Sequence, residues 1–127
     1  MSADSDCALR LMEVVVPCVR YRSTRFFYEH VLGLEPASEG RNHVFFACGG
    51  AQLALVNASG GDPMVKPSGH GIYLDLEARD LQSLKRRCQR EGIQLLDERR
   101  DEHGRAITLR DPEGNLLNVF QAGTVGA

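Results

Sequence analysis

Arg110-Asp111-Pro112-Glu113-Gly114-Asn115-Leu116-Leu117-Asn118-Val119-Phe120-Gln121 is the stretch whose reading decides the fold. Pro112 sets φ for a turn, and Gly114 supplies a positive φ. Asp111 and Asn115 carry short polar side chains that bond nearby backbone. Arg105-Ala106-Ile107-Thr108-Leu109 runs before the turn and Leu116 to Phe120 runs after it. Two period-2 segments around such a turn predict a β-hairpin.

Upstream of the hairpin, Ile93 to Leu96 is extended. Asp80 caps a helix that runs through Arg90, with Leu81, Leu84 and Cys88 on one face. Lys85, Arg86, Arg87 and Arg90 suit its C-terminal end and read as a solvated face. Gly92 stops the helix, and His70 to Glu77 forms the strand before it. The first half of the chain has the same order. Leu9 to Val16 is a strand, and Ser23 caps a helix from Thr24 to Leu32 that stops at Gly33. Leu34 to Ser38 is extended, and His43–Cys48 and Gln52–Val56 form a hairpin around Gly49-Gly50. Gly60, Gly61, Pro63, Pro67 and Gly69 mark a linker between the halves.

The order strand-helix-strand-strand-strand therefore occurs twice. It predicts an α+β fold of two βαβββ modules, with curved sheets around a cleft and helices outside. Residues 1–8 and 122–127 are tails, and 9–121 make one domain. Module one covers about 9–57, the linker about 58–69 and module two about 70–121.

A chain of 127 residues suffices for one domain with its own core. A net charge of −2 gives no case for nucleic acid or a membrane surface as partner. No run approaches the ~18 apolar residues of a membrane span. The polar, acidic start, Met1-Ser2-Ala3-Asp4-Ser5-Asp6, is unlike a signal peptide. Cys7, Cys18, Cys48 and Cys88 are scattered, with no C-x-x-C, and read as reduced thiols. Together these features predict a cytoplasmic protein.

Within the first strand, Val14-Val15-Val16 is apolar on both faces, which predicts cover on both. Glu13 is then a carboxylate within a buried strand and needs a partner. His70 opens the matching strand of module two and alternates with Ile72, Leu74 and Leu76. Aligning the last strands on Gly50 and Gly114 sets Asn118 opposite Ala54. Glu13, Ala54, His70 and Asn118 become four related slots, with Gln52 and Phe120 two residues from the last-strand pair.

Three segments resemble one family. They are Thr24-Arg25-Phe26-Phe27-Tyr28-Glu29-His30-Val31-Leu32-Gly33-Leu34-Glu35, His70-Gly71-Ile72 and Arg110-Asp111-Pro112-Glu113-Gly114-Asn115-Leu116-Leu117. The chain is similar over about 9–121 to the vicinal oxygen chelate superfamily, the glyoxalase/bleomycin-resistance/dioxygenase group. The resemblance implies a divalent metal ion (Zn, Ni, Mn or Fe) held by Glu13, His70 and Asn118. Asn118 departs from the pattern, since a Glu is usual there and a neutral amide oxygen is a poor ligand for such ions. Two functions follow as expectations. One is a metal-assisted isomerase, lyase, dioxygenase or thiol transferase acting on a small oxygen-bearing substrate. The other is a metal-free protein that binds or sequesters a small molecule, with Glu13 facing a cationic group and Gln52, Tyr73 and Phe120 lining the ligand. The resemblance also implies a homodimer.

Overall fold

The computed structural model describes residues 9–59 and 72–123. His70 and most of the linker expected over 58–69 lie outside these residues. Module one contains β1 (Glu13–Cys18), α1 (Tyr21–Phe26), β2 (Pro36–Glu39), β3 (His43–Cys48) and β4 (Ala51–Asn57). Module two contains β5 (Tyr73–Glu77), α2 (Leu81–Arg90), β6 (Asp97–Asp101), β7 (Gly104–Arg110) and β8 (Leu116–Ala122). Each module makes a four-stranded sheet, ordered β1-β4-β3-β2 and β5-β8-β7-β6. In both, the first strand runs parallel to the last and the other pairs are antiparallel. The α+β reading with two βαβββ modules is what the chain adopts.

The helices differ from expectation in how they begin and end. Ser23 lies inside α1 instead of capping it, and Arg20 at the N-cap position offers no side-chain bond. The helix continues as a π-helical turn over Phe27–Val31, which closes with Leu32 N donating to Phe27 O. Gly33 follows at φ 82°, and Leu34 N bonds back to Tyr28 O. A side chain at Gly33 would be strained by that φ and would also press on Arg87 Nη2 at 3.3 Å. In module two, Asp80 does cap α2. It accepts from Ser83 N and Ser83 Oγ, and these bonds hold its carboxyl below the usual range.

One core serves both modules. Phe27, Tyr28 and Val31 from the first helix and Leu81, Leu84 and Cys88 from α2 are buried among Val16, Phe46, Leu55, Ile107, Leu109 and Leu117. The helices cover one face of each sheet and the other face is open. Val14 and Val16 pack inward, while Val15 stays 40% exposed. Cover on both faces of β1, expected from its apolar run, is therefore not supplied by the described residues. Glu13 is exposed, not buried.

The two modules are joined by polar contacts whose partners are distant in sequence. Arg87 on α2 donates through Nε to Val31 O at 2.7 Å, at the carbonyl end of the first helix. A cation there meets the negative helix terminus. That bond takes Arg87 out of the solvated face assigned to its neighbours. Lys85 pairs with Glu98, and Arg86 bonds Ser83 Oγ.

The decisive stretch makes the other joint. Gly114 has φ 90°, and Asp111 Oδ1 accepts from Glu113 N and Asn115 N, as the turn chemistry requires. Asp111 Oδ2 accepts from Tyr28 Oη across the module boundary at 2.7 Å. Glu113 reaches further. Its carboxylate accepts from Val19 N at 2.9 Å, from Arg20 N at 2.7 Å and from Thr24 Oγ1 at 2.7 Å. Thus the hairpin of module two supplies the N-terminal cap that the first helix lacks in its own sequence.

Candidate functional site

Strand register assigns the residues of each open face, because cross-strand partners point the same way. On module two one row is Asp75, Asn118, Thr108 and Asp97, and the next is Glu77, Phe120, Ala106 and Arg99. Asn118 and Phe120 line a cavity of about 650 Å³ with Asp75, Glu77 and Arg99. All its lining residues belong to module two. Tyr73 stands on the same face, one row further along, and is 59% exposed. Ile72, Leu74 and Leu76, the residues with which His70 alternates in sequence, pack against the core.

Asn118 sits at the centre of a hydrogen-bonded relay. Its Oδ1 accepts from Arg99 Nη2 at 2.8 Å, with Thr108 Oγ1 at 3.4 Å. Its Nδ2 donates to Asp75 Oδ1 at 2.9 Å. The amide has only one sensible orientation, since the reverse would set its NH₂ against the guanidinium and its oxygen against the carboxylate. Arg99 also approaches Asp97, at 3.5 Å.

On module one the rows are Glu13, Gln52 and Ala47, then Val15, Ala54 and Phe45. Gln52 Nε2 donates to Glu13 Oε1 at 2.5 Å, so the strand brings these two sequence candidates together. Ala54 is buried and has no donor atom. The ladder also sets the internal equivalence. Gln52 N bonds Met12 O, and Leu116 N bonds Ile72 O. Ala54 and Asn118 occupy matching places, as the glycine alignment expects, but Glu13 matches Tyr73 and not His70.

The described residues do not fit a divalent metal ion. Asn118 Oδ1 is already turned to a fixed cation, Arg99, and a second cation on the same oxygen would be repelled. Glu13 and Asn118 stand on separate sheets, and the cavity at Asn118 excludes Glu13. Among the described residues no three or more His, Cys, Asp or Glu side chains are grouped as a metal site. The described cysteines, Cys18, Cys48 and Cys88, are equally poor nucleophiles. Burial pushes the Cys18 thiol up to about 12, with Glu113 and Asp111 adding to the rise, and burial also raises Cys48 and Cys88.

Sequence reasoning misses Arg99, Asp75 and Thr108. Period-2 parity along β5 and β7 puts Asp75 and Thr108 beside Asn118 once those strands are paired. Arg99 carries no such signal, because Asp97–Asp101 is charged throughout and exposed throughout, without alternation.

No helix among the described residues is long and apolar enough to cross a membrane. Lactoylglutathione lyase from Agrobacterium tumefaciens has a similar structure over 88% of this chain and 92% of that one, at 22% identity and a TM-score of 0.69. TnmS3, an antibiotic binding protein from Streptomyces sp. CB03234, is similar over 92% of this chain and 99% of its own, at 20% identity and a TM-score of 0.72. A bleomycin resistance determinant encoded on transposon Tn5 is similar over 91% of this chain and 100% of its own, at 22% identity and a TM-score of 0.64. At such identities the likeness is one of fold, which hosts more than one chemistry. No curated protein sequence matches the chain. The family model of the Glyoxalase/Bleomycin resistance protein/Dioxygenase superfamily matches residues 10–119, and the chain belongs to that superfamily.

Proposed function

We propose that this protein, a single domain over residues 9–121, binds a small molecule without a metal ion. The observation that carries the reading is the Arg99–Asn118–Asp75 relay, which fills a slot where the metal-assisted reading needs an available ligand. The open face of module two carries Asp75, Glu77, Asp97 and Asp101 around the Phe120 ring, and its cavity is also lined by Arg99 and Arg105. Such a face favours a ligand with a cationic group and a flat apolar part. Glu13 with Gln52 offers a second polar anchor on module one, and Tyr73 a second ring.

The test is calorimetry of the full chain against a panel of cationic aromatic compounds, with and without chelator. Saturable binding should survive the chelator, and Phe120→Ala should weaken it about tenfold, the worth of a buried aromatic contact. Stoichiometric metal in protein purified without a His tag, or binding that needs an added ion, would return the metal-assisted reading built on Glu13, His70 and Asn118.

We also propose a homodimer in the cytoplasm. β1 and β5 are edge strands, and β1 with the residues leading into it leaves Leu11 64%, Met12 71% and Val15 40% exposed. An apolar edge of this kind invites a second copy. Sedimentation should give a dimer, and Val15→Asp should shift it towards monomer with the far-ultraviolet spectrum unchanged. A monomer at all concentrations up to the millimolar range would count against this assembly.

A further inference from the structure

A second groove lies away from both open sheet faces, at the outer side of module one. It encloses about 840 Å³ and is lined by Arg20, Arg22, Arg25 and Arg41, with Glu29 the one carboxylate among its described lining residues. The chain as a whole has a net charge of −2, so this density of guanidinium groups is local. Arg25 is committed: Nε meets Glu29 at 2.7 Å and Nη2 meets Glu39 at 2.9 Å. With Glu29 and Glu39 it forms a cluster of one positive and two negative charges, which offsets part of the positive charge nearby. The side chains of Arg20, Arg22 and Arg41 make no hydrogen bond or ion pair with any described residue. Three guanidinium groups are left with their full donor sets around one groove.

Neutral donors stand in the same wall. Asn42 accepts from Asn57 through Oδ1, which leaves its NH₂ unused. Tyr21 also lines the groove, with its hydroxyl turned inward towards Arg25. The three guanidinium groups and the Asn42 NH₂ each have donors to spare for an acceptor or a negative charge.

We infer that this groove binds a multiply charged oxyanion of the phosphate class. Guanidinium forks match phosphate oxygens in bidentate geometry, and three separate forks suit a polyvalent anion better than a single carboxylate. A groove with an excess of positive charge also concentrates the field towards such a ligand. The site is distinct from the open face of module two, whose charge has the opposite sign.

The experiment is calorimetric titration of the full chain with sodium pyrophosphate at low salt. One-to-one binding is expected, weakening as salt is raised. The double variant Arg22→Ala/Arg41→Ala should lose about tenfold or more in affinity, as expected when charge-assisted donors are removed. A charge-matched control, Arg86→Ala/Arg90→Ala on α2, should bind as wild type does. No heat at millimolar pyrophosphate would overturn the inference. So would equal losses in both double variants, since binding would then be a general response to cationic charge. Circular dichroism of each variant confirms that the fold is retained.

Discussion

Asp111→Ala should be the most destabilising single substitution at the module joint, by about 3–5 kcal/mol in urea unfolding. The carboxylate is 4% exposed and satisfies four donors. Oδ1 accepts from Glu113 N and Asn115 N, both at 2.9 Å. Oδ2 accepts from Tyr28 Oη at 2.7 Å and Asn115 Nδ2 at 3.1 Å. Alanine would leave all four without an acceptor, three of them at buried sites. Each stranded donor costs about 1–3 kcal/mol, although relaxation of the turn recovers part of the sum. A domain of this size has about 5–15 kcal/mol in total, so the variant would stand near the limit of folding.

Tyr28→Phe should cost less, about 1.5–3 kcal/mol, because it removes one charge-assisted bond and leaves the turn intact. The double variant should cost less than the two singles together, since Tyr28→Phe has already removed the hydroxyl that Asp111→Ala would strand. Loss of less than about 0.5 kcal/mol in Asp111→Ala, a bound set well under the cost of one stranded donor, would show that the joint does not hold the modules. The same hairpin caps the first helix through Glu113, so damage at Asp111 should also loosen the N-terminal turn at Val19 and Arg20.

How much of this is legible in the sequence follows from which interactions are local. The Asp-Pro-Glu-Gly-Asn turn, the positive φ at Gly33, Gly92 and Gly114, and the Asp80 cap depend on residues within a few positions of each other. Period-2 patterning finds β3, β7 and β8 to within a residue or so, because each has one face on the core. β6 lacks that pattern. The sequence predicts only an extended piece at Ile93 to Leu96, while the strand is Asp97–Asp101. The same reading starts the first helix too late, because Ser23 looks like a cap. The true acceptor is Glu113, about ninety positions away, and no local rule reaches it. Arg20 at the N-cap is the one hint, since a residue with no acceptor there means the acceptor comes from elsewhere. The open faces escape the sequence for a related reason. Val14-Val15-Val16 shows that both sides of a strand are apolar, but not whether the second side is covered by the same chain, by a ligand or by another copy.

Asn118→Glu alone should not create a metal site, whereas Arg99→Ala/Asn118→Glu should. From sequence alone the single change restores the carboxylate usual in the family and should be sufficient. The relay argues otherwise. Arg99 Nη2 lies 2.8 Å from Asn118 Oδ1, so a glutamate there meets a guanidinium first and pairs with it. Removing Arg99 frees the new carboxylate and brings it beside Asp75 on the neighbouring strand, giving two acidic oxygen ligands on one open face. Two unit charges about 4 Å apart interact by about 4 kcal/mol at an effective dielectric of about 20. Arg99 is more than half exposed, so screening reduces its repulsion of a divalent ion to about 1–2 kcal/mol, or about tenfold in affinity. Titration with manganese or zinc should therefore show at least that difference between the double and single variants, with wild type weakest. Equal binding by the single and double variants would mean that Arg99 does not guard the slot. The case for metal-independent binding would then lose its main support.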